Sequence, residues 1–159
     1  MVQAVSEELI EPIKHTIIQV IMTMTGILPT PSELLIKQDI IAQGDVTGVM
    51  TMQSPDTSGS LALSFSKELL FEMAKRMFGE DISEVDESIC DLAGEMTNMV
   101  VGGTKHMMEE KGYDFDMSTP QVSSGKEHTI EHPFGTQTYS MEFRSQPGPL
   151  YLEINFSGE

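Results

Sequence analysis

The chain has a single cysteine, Cys90, and no tryptophan in 159 residues. One thiol cannot close an internal disulfide, so a reducing compartment is the default. Basic residues are scarce as well: 9 Lys and Arg against 25 Asp and Glu leave a formal charge of −16. A field of that sign repels phosphate backbones and anionic headgroups, and no basic stripe offsets it, which excludes nucleic-acid and membrane-surface binding. Any phosphate chemistry would need a cation brought by the substrate or partner. No apolar run approaches the roughly 20 residues needed to span a bilayer, since Gln19 interrupts residues 17–22. The N-terminus carries Glu7, Glu8 and Glu11 where a signal peptide would have a basic region, so none is expected. The expected location is the cytoplasm.

What the chain does contain suits one folded domain spanning residues 1–159, with 39% hydrophobic and 21% charged residues. Ile13, Ile17, Val20, Ile21 and Met24 repeat at helical spacing. They predict a first helix that begins near Glu11, with Pro12 at its first position, and stops at Gly26. Strands are expected at residues 35–42, 46–53 and 60–65, then a helix over 67–78 with Ser66 as N-cap and Gly79 as its stop. An acidic connector over 80–87 leads into the longest helical pattern, ending near Lys111. Strand-like segments return at 115–118, 121–124, 134–144 and 150–156. Strands come in runs, with a long helix opening each half. That order predicts an α+β fold: a largely antiparallel sheet of about six strands packed with long helices, weakly duplicated.

The chemistry concentrates in the longest helix. Val85, Ile89, Leu92, Met96, Met99 and Met107, with Gly103 filling a step, form its expected buried stripe. At roughly 100° per residue, Asp91, Glu95, Asn98 and Gly102 fall on a second line beside it. A carboxylate that can hold a cation and a carboxamide that can hold a water then point the same way. Gly102 adds no side chain to obstruct a partner.

The run Gly94-Glu95-Met96-Thr97-Asn98-Met99-Val100-Val101-Gly102, preceded by Asp91 and followed at a distance by Pro120, resembles the CheC/CheX/FliY family of chemotaxis phosphatases. Their signature is an Asp or Ser, then Glu-x-x-Asn, then a proline further along. Ser118-Thr119-Pro120-Gln121-Val122, Gly125, Pro12 and Leu63-Ser64-Phe65-Ser66 are similar to the CheX branch, so the likeness covers nearly the whole chain. The resemblance implies docking on a phosphorylated CheY-like receiver domain and hydrolysis of its aspartyl phosphate. Asn98 would position water and Glu95 would pair with a receiver lysine, with Asp91 and Gly102 in the contact. It implies no cofactor of the chain's own, with Mg²⁺ carried by the partner. CheC-type members bear the motif twice, whereas the first helix here reads Lys14-His15-Thr16-Ile17, so one site per chain is expected. The resemblance also implies a homodimer joined through its sheets, and the strands carry little Pro or Lys to blunt an edge; only Arg144 interrupts the run from Phe134. A non-catalytic signalling or flagellar-associated module of the same fold is the alternative.

Three other signals compete. His128-Thr-Ile-Glu131-His132 matches an inverted zinc-peptidase pattern, with Glu142, Glu153 and Glu159 as possible further ligands. That chemistry needs a helix, and here Thr129, Ile130 and Pro133 favour a loop, so no metal is expected. Cys90 lacks a cationic or histidine neighbour in sequence and is read as a structural or idle thiol. The 13 methionines invite a partner-binding reading, but Met96, Met99 and Met107 are assigned to the core stripe.

Overall fold

The computed structural model describes residues 4–134 and 137–157. Helix α1 (Ala4–Thr25) starts well before the expected Glu11, and Pro12 lies inside it. An internal proline forfeits one backbone hydrogen bond and costs about 3 kcal/mol. Leu9, one turn earlier, is fully buried together with Ile13, Ile17 and Ile21. Extending the apolar stripe by that turn offsets the loss. Gly26, at φ +77°, ends the helix. Arg76 Nη1 from the next helix donates to the Thr25 carbonyl at 3.2 Å, satisfying an acceptor that the helix end leaves open.

The strands are β1 (Thr30–Pro31), β2 (Leu35–Lys37), β3 (Val46–Gln53), β4 (Ser58–Phe65), β5 (Asp116–Met117), β6 (Gln121–Ser124), β7 (Thr138–Arg144) and β8 (Leu150–Ser157). Helices α2 (Lys67–Phe78) and α3 (Glu87–Glu109) separate β4 from β5. Together they make one antiparallel eight-stranded sheet in the order β1-β7-β8-β4-β3-β5, with β2 also on β7 and β6 also on β3. Eight strands replace the expected six because short outer pieces join the sheet. The expected duplication is visible in its middle: β4 pairs with β8, β3 and β7 flank them, and α1 and α3 open the two halves. The strand expected over 134–144 begins only at Thr138, and β1 and β2 pair along its outer side.

Alternation gives the sheet two unlike faces. Met50, Leu61, Leu63, Leu152 and Ile154 are buried against the helices. The opposite face presents Thr47, Ser60, Ser64, Ser140, Glu153 and Asn155, also buried. Residues 38–45 and 126–134 lie across it, joined by the Ile41–Thr129 bridge and by Ile130 N–H donating to the Ile40 carbonyl at 2.7 Å. That is why the strand expected over 35–42 stops at Lys37: the chain leaves the sheet edge to cover its face. Among the described residues no helix is long and apolar enough to cross a membrane.

Candidate active site

Helix α3 begins where Asp86 caps it. The carboxylate accepts from Ser88 Oγ at 2.7 Å and from the Ile89 N–H at 3.0 Å. The Ser88 hydroxyl first, then the Ile89 amide, hold its pKa below the usual aspartate value. Val85 therefore lies outside the helix and is exposed. The buried residues are Ile89, Leu92, Ala93, Met96, Val100, Thr104 and Met108 with their neighbours. This corrects the expected stripe beyond Met96, where the core line steps to Val100 and not to Met99. Met99 is 36% exposed and Met107 only half-buried. A helix packed on both a sheet and a second helix buries a wide arc, and apolar residues at i+3 and i+4 both fit such an arc. Gly103 does fill a step: a Cβ there would lie 2.7 Å from the Thr16 methyl of α1.

Asp91, Glu95 and Asn98 are exposed along one ridge of α3. At Gly102, half-buried one turn on, an added Cβ would meet nothing within 4 Å. No side-chain hydrogen bond or ion pair engages Asp91, Glu95 or Asn98 among the described residues. The predicted carboxylate–carboxamide pair is thus available to an external group, beside open space.

The residues between them fix the ridge in place. Thr97, facing inward and fully buried, donates from Oγ1 to the Ala93 carbonyl at 2.8 Å. It packs onto β3 where Gly48 leaves no room for a side chain, since a Cβ there would run into the Thr97 hydroxyl. Gly94 passes under Val122 of β6, so the outer strand lies along one flank of the ridge. The other flank opens into a groove of about 370 Å³ whose lining includes Met24, Met77, Phe78 and Met99 as well as Asp91 and Glu95. Assigning Met99 to the core concealed this groove from sequence reasoning.

The two histidines of the zinc-like pattern are structural. His128 Nδ1 donates to the Gly125 carbonyl at 2.7 Å, and its Nε2 lies within hydrogen-bond distance of Thr47 Oγ1 at 2.7 Å. His132 Nε2 donates to Glu153 Oε1 at 3.0 Å, and its Nδ1 accepts from Ser60 Oγ at 2.5 Å. Both ring nitrogens of each histidine are therefore engaged, and Glu131 points to solvent. Lys37 Nζ sits 2.6 Å from Glu153 Oε2, with both side chains almost wholly buried. Glu142 faces Arg144 at 3.5 Å, and Glu159 lies outside the described residues. The patterned histidines pin residues 126–134 to the polar face of the sheet, a role that spacing alone did not reveal. Cys90 is half-buried against the core.

Comparison with known proteins agrees with this architecture. A CheC-like superfamily protein of Shewanella sp. PV-4 is 43% identical, with a TM-score of 0.88 over 94% of this chain and 97% of that one. The CheY-P phosphatase CheX of Thermotoga maritima is 29% identical over 108 residues, 67% of this chain. The matched stretch spans 65% of that relative's length. A chain of the CheX-CheY-BeF3-Mg²⁺ complex from Borrelia burgdorferi shares the fold, with a TM-score of 0.74 at 18% identity over 92% of this chain and 96% of that one. The family described as chemotaxis phosphatase CheX matches residues 46–144, which takes in β3 through β7 and the whole of α3. By that match over more than half its length, the chain belongs to the CheX family.

Proposed function

We propose that this protein is a protein-aspartyl-phosphate phosphatase that docks α3 on a phosphorylated CheY-like receiver domain and positions water for dephosphorylation. The observation that carries the reading is the ridge itself: Glu95 and Asn98 are exposed, unengaged and one turn apart. Phosphoryl transfer asks a catalyst for in-line placement of water and for neutralised charge, not for a nucleophile of its own. The Asn98 carboxamide accepts a hydrogen bond from the water through its oxygen and donates to a phosphoryl oxygen through its NH₂. Glu95 pairs with a receiver lysine and fixes the helix in register, with Asp91 adding a second carboxylate nearby. Gly102 lets the partner's surface come close. The phosphorylated aspartate and Mg²⁺ belong to the receiver; the Borrelia burgdorferi relative was solved together with CheY, BeF3 and Mg²⁺. One site per chain is in keeping with α1, which reads Lys14-His15-Thr16-Ile17 and carries no Glu-x-x-Asn. We place the reaction in the cytoplasm, in keeping with the lone thiol. We also assign a homodimer joined through an outer strand, which light scattering at micromolar concentration checks against the 17.6 kDa of one chain.

The decisive experiment follows decay of acyl phosphate on a purified receiver. Asn98→Ala abolishes the acceleration while leaving docking largely intact. Glu95→Ala weakens docking and turnover together, by roughly 1.5–3 kcal/mol for one charge-assisted bond. Binding without acceleration by the wild-type protein would instead identify a non-catalytic module of the same fold.

A further inference from the structure

The groove beside the ridge is assembled from three helices. Met24 comes from the end of α1, Met77 and Phe78 from the end of α2, and Met99 from α3, over a floor of Leu92 and Met96. Gly79, in the left-handed conformation, stops α2 immediately after Phe78, a residue 60% exposed. Single exposed apolar side chains are ordinary on a protein surface. Several that converge on one concave patch mark a site of contact. Thioethers suit such a role, because methionine adapts its shape to a partner at little cost.

The groove is continuous with the ridge, since Asp91 and Glu95 form its rim. At roughly 100° per residue, Met99 lies about 40° round α3 from Glu95, so one object can cover both. Among the described residues no lysine or arginine lines the groove. An occupant therefore meets two carboxylates and an apolar floor, and is matched by a cation carried next to an apolar side chain. A second copy of this chain is a poor match. Its own acidic rim would face Asp91 and Glu95.

We propose that this groove receives an apolar side chain of the receiver domain, carried beside the lysine that pairs with Glu95, and so selects which receivers are bound. The inference rests on the phosphatase reading and assigns that site's partner a second recognition element. The ridge supplies the chemistry; the groove supplies affinity and discrimination, as a buried apolar anchor does at the centre of an interface.

The test measures KM and kcat for a receiver phosphorylated by a small acyl-phosphate donor, using the full chain. Phe78→Gln and Met99→Gln each raise KM about tenfold, the effect of losing one apolar anchor. In both, kcat stays within about twofold and thermal melting matches wild type. Leu35→Gln, an exposed apolar change on β2 away from the groove, leaves KM unchanged. If both groove variants keep the wild-type KM while Asn98→Ala abolishes turnover, the groove proposal fails and the phosphatase reading stands. Turnover that survives Asn98→Ala overturns the phosphatase reading and the proposal with it. A groove variant that changes the mass by light scattering and not KM also overturns the proposal, by making the groove a contact between copies.

Discussion

Strand β8 presents two surfaces held by different physics. Leu150, Leu152, Ile154 and Phe156 face the helices in the apolar core, while Glu153 and Asn155, interleaved with them, lie buried on the opposite side. The helix side is stabilised by area removed from water, a force without direction. The far side is held by a chain of directional contacts: Lys37 to Glu153, Glu153 to His132, and His132 to Ser60. Burial alone can attach helices to a sheet in several nearly equivalent ways. A polar network admits one arrangement, because each unmatched group is costly. The proposed chemistry sits on the helix layer, and the far face serves to hold the covering segments. Changes to the far face should therefore alter stability without touching turnover.

The strongest way to break this contrast is Glu153→Ala. It leaves the Lys37 ammonium and the His132 N–H buried without their acceptor and costs about 3–5 kcal/mol, read from urea unfolding. Replacing Lys37 and Glu153 together by methionine recovers most of that loss, because no unpaired charge remains. A single variant as stable as wild type would mean that the far face is wet and its contacts dispensable. The next residue sharpens the comparison: Ile154→Val removes one buried methyl from the helix side and costs about 1 kcal/mol by the same measurement. The smallest effect concerns the start of α3. The folded pKa of Asp86 lies below the ordinary aspartate value. Its contribution to stability is thus present above that value and disappears as pH falls through the depressed one. Asp86→Asn accepts the same two hydrogen bonds without titrating. The stability gap between wild type and variant therefore narrows on acidification through and below the ordinary aspartate range and is constant well above it. A gap that widens on acidification would contradict the capping geometry.

Local signals carried most of the fold into the sequence. Strand β3 and helix α2 fall where alternation, Ser66 and Gly79 place them, because these signals are complete within a few residues. The start of α1 was hidden, since Pro12 suits a first turn by its own chemistry and only the buried Leu9 shows that the helix continues upstream. The ridge was legible because exposure of Asp91, Glu95 and Asn98 needs only helical periodicity. The groove was not, since Met99 and Val100 fit a core arc equally well until the neighbouring helices are in place. The partners of His132 were also out of reach: Ser60 and Glu153 come to it through strand pairing between distant segments, which no spacing encodes.

The contact between Thr97 and Gly48 acts as a key in a keyway. A smooth cylinder resting on a flat sheet could roll, and its outermost side chains would swing furthest. With side-chain tips about 5–6 Å from the axis, a roll of 20° displaces them by about 2 Å. A misplacement of about 1 Å can cost a hundredfold in rate. A residue with no side chain, Gly48 of β3, seated under a threonine on the hidden side of α3, therefore sets the azimuth of Asn98 on the visible side.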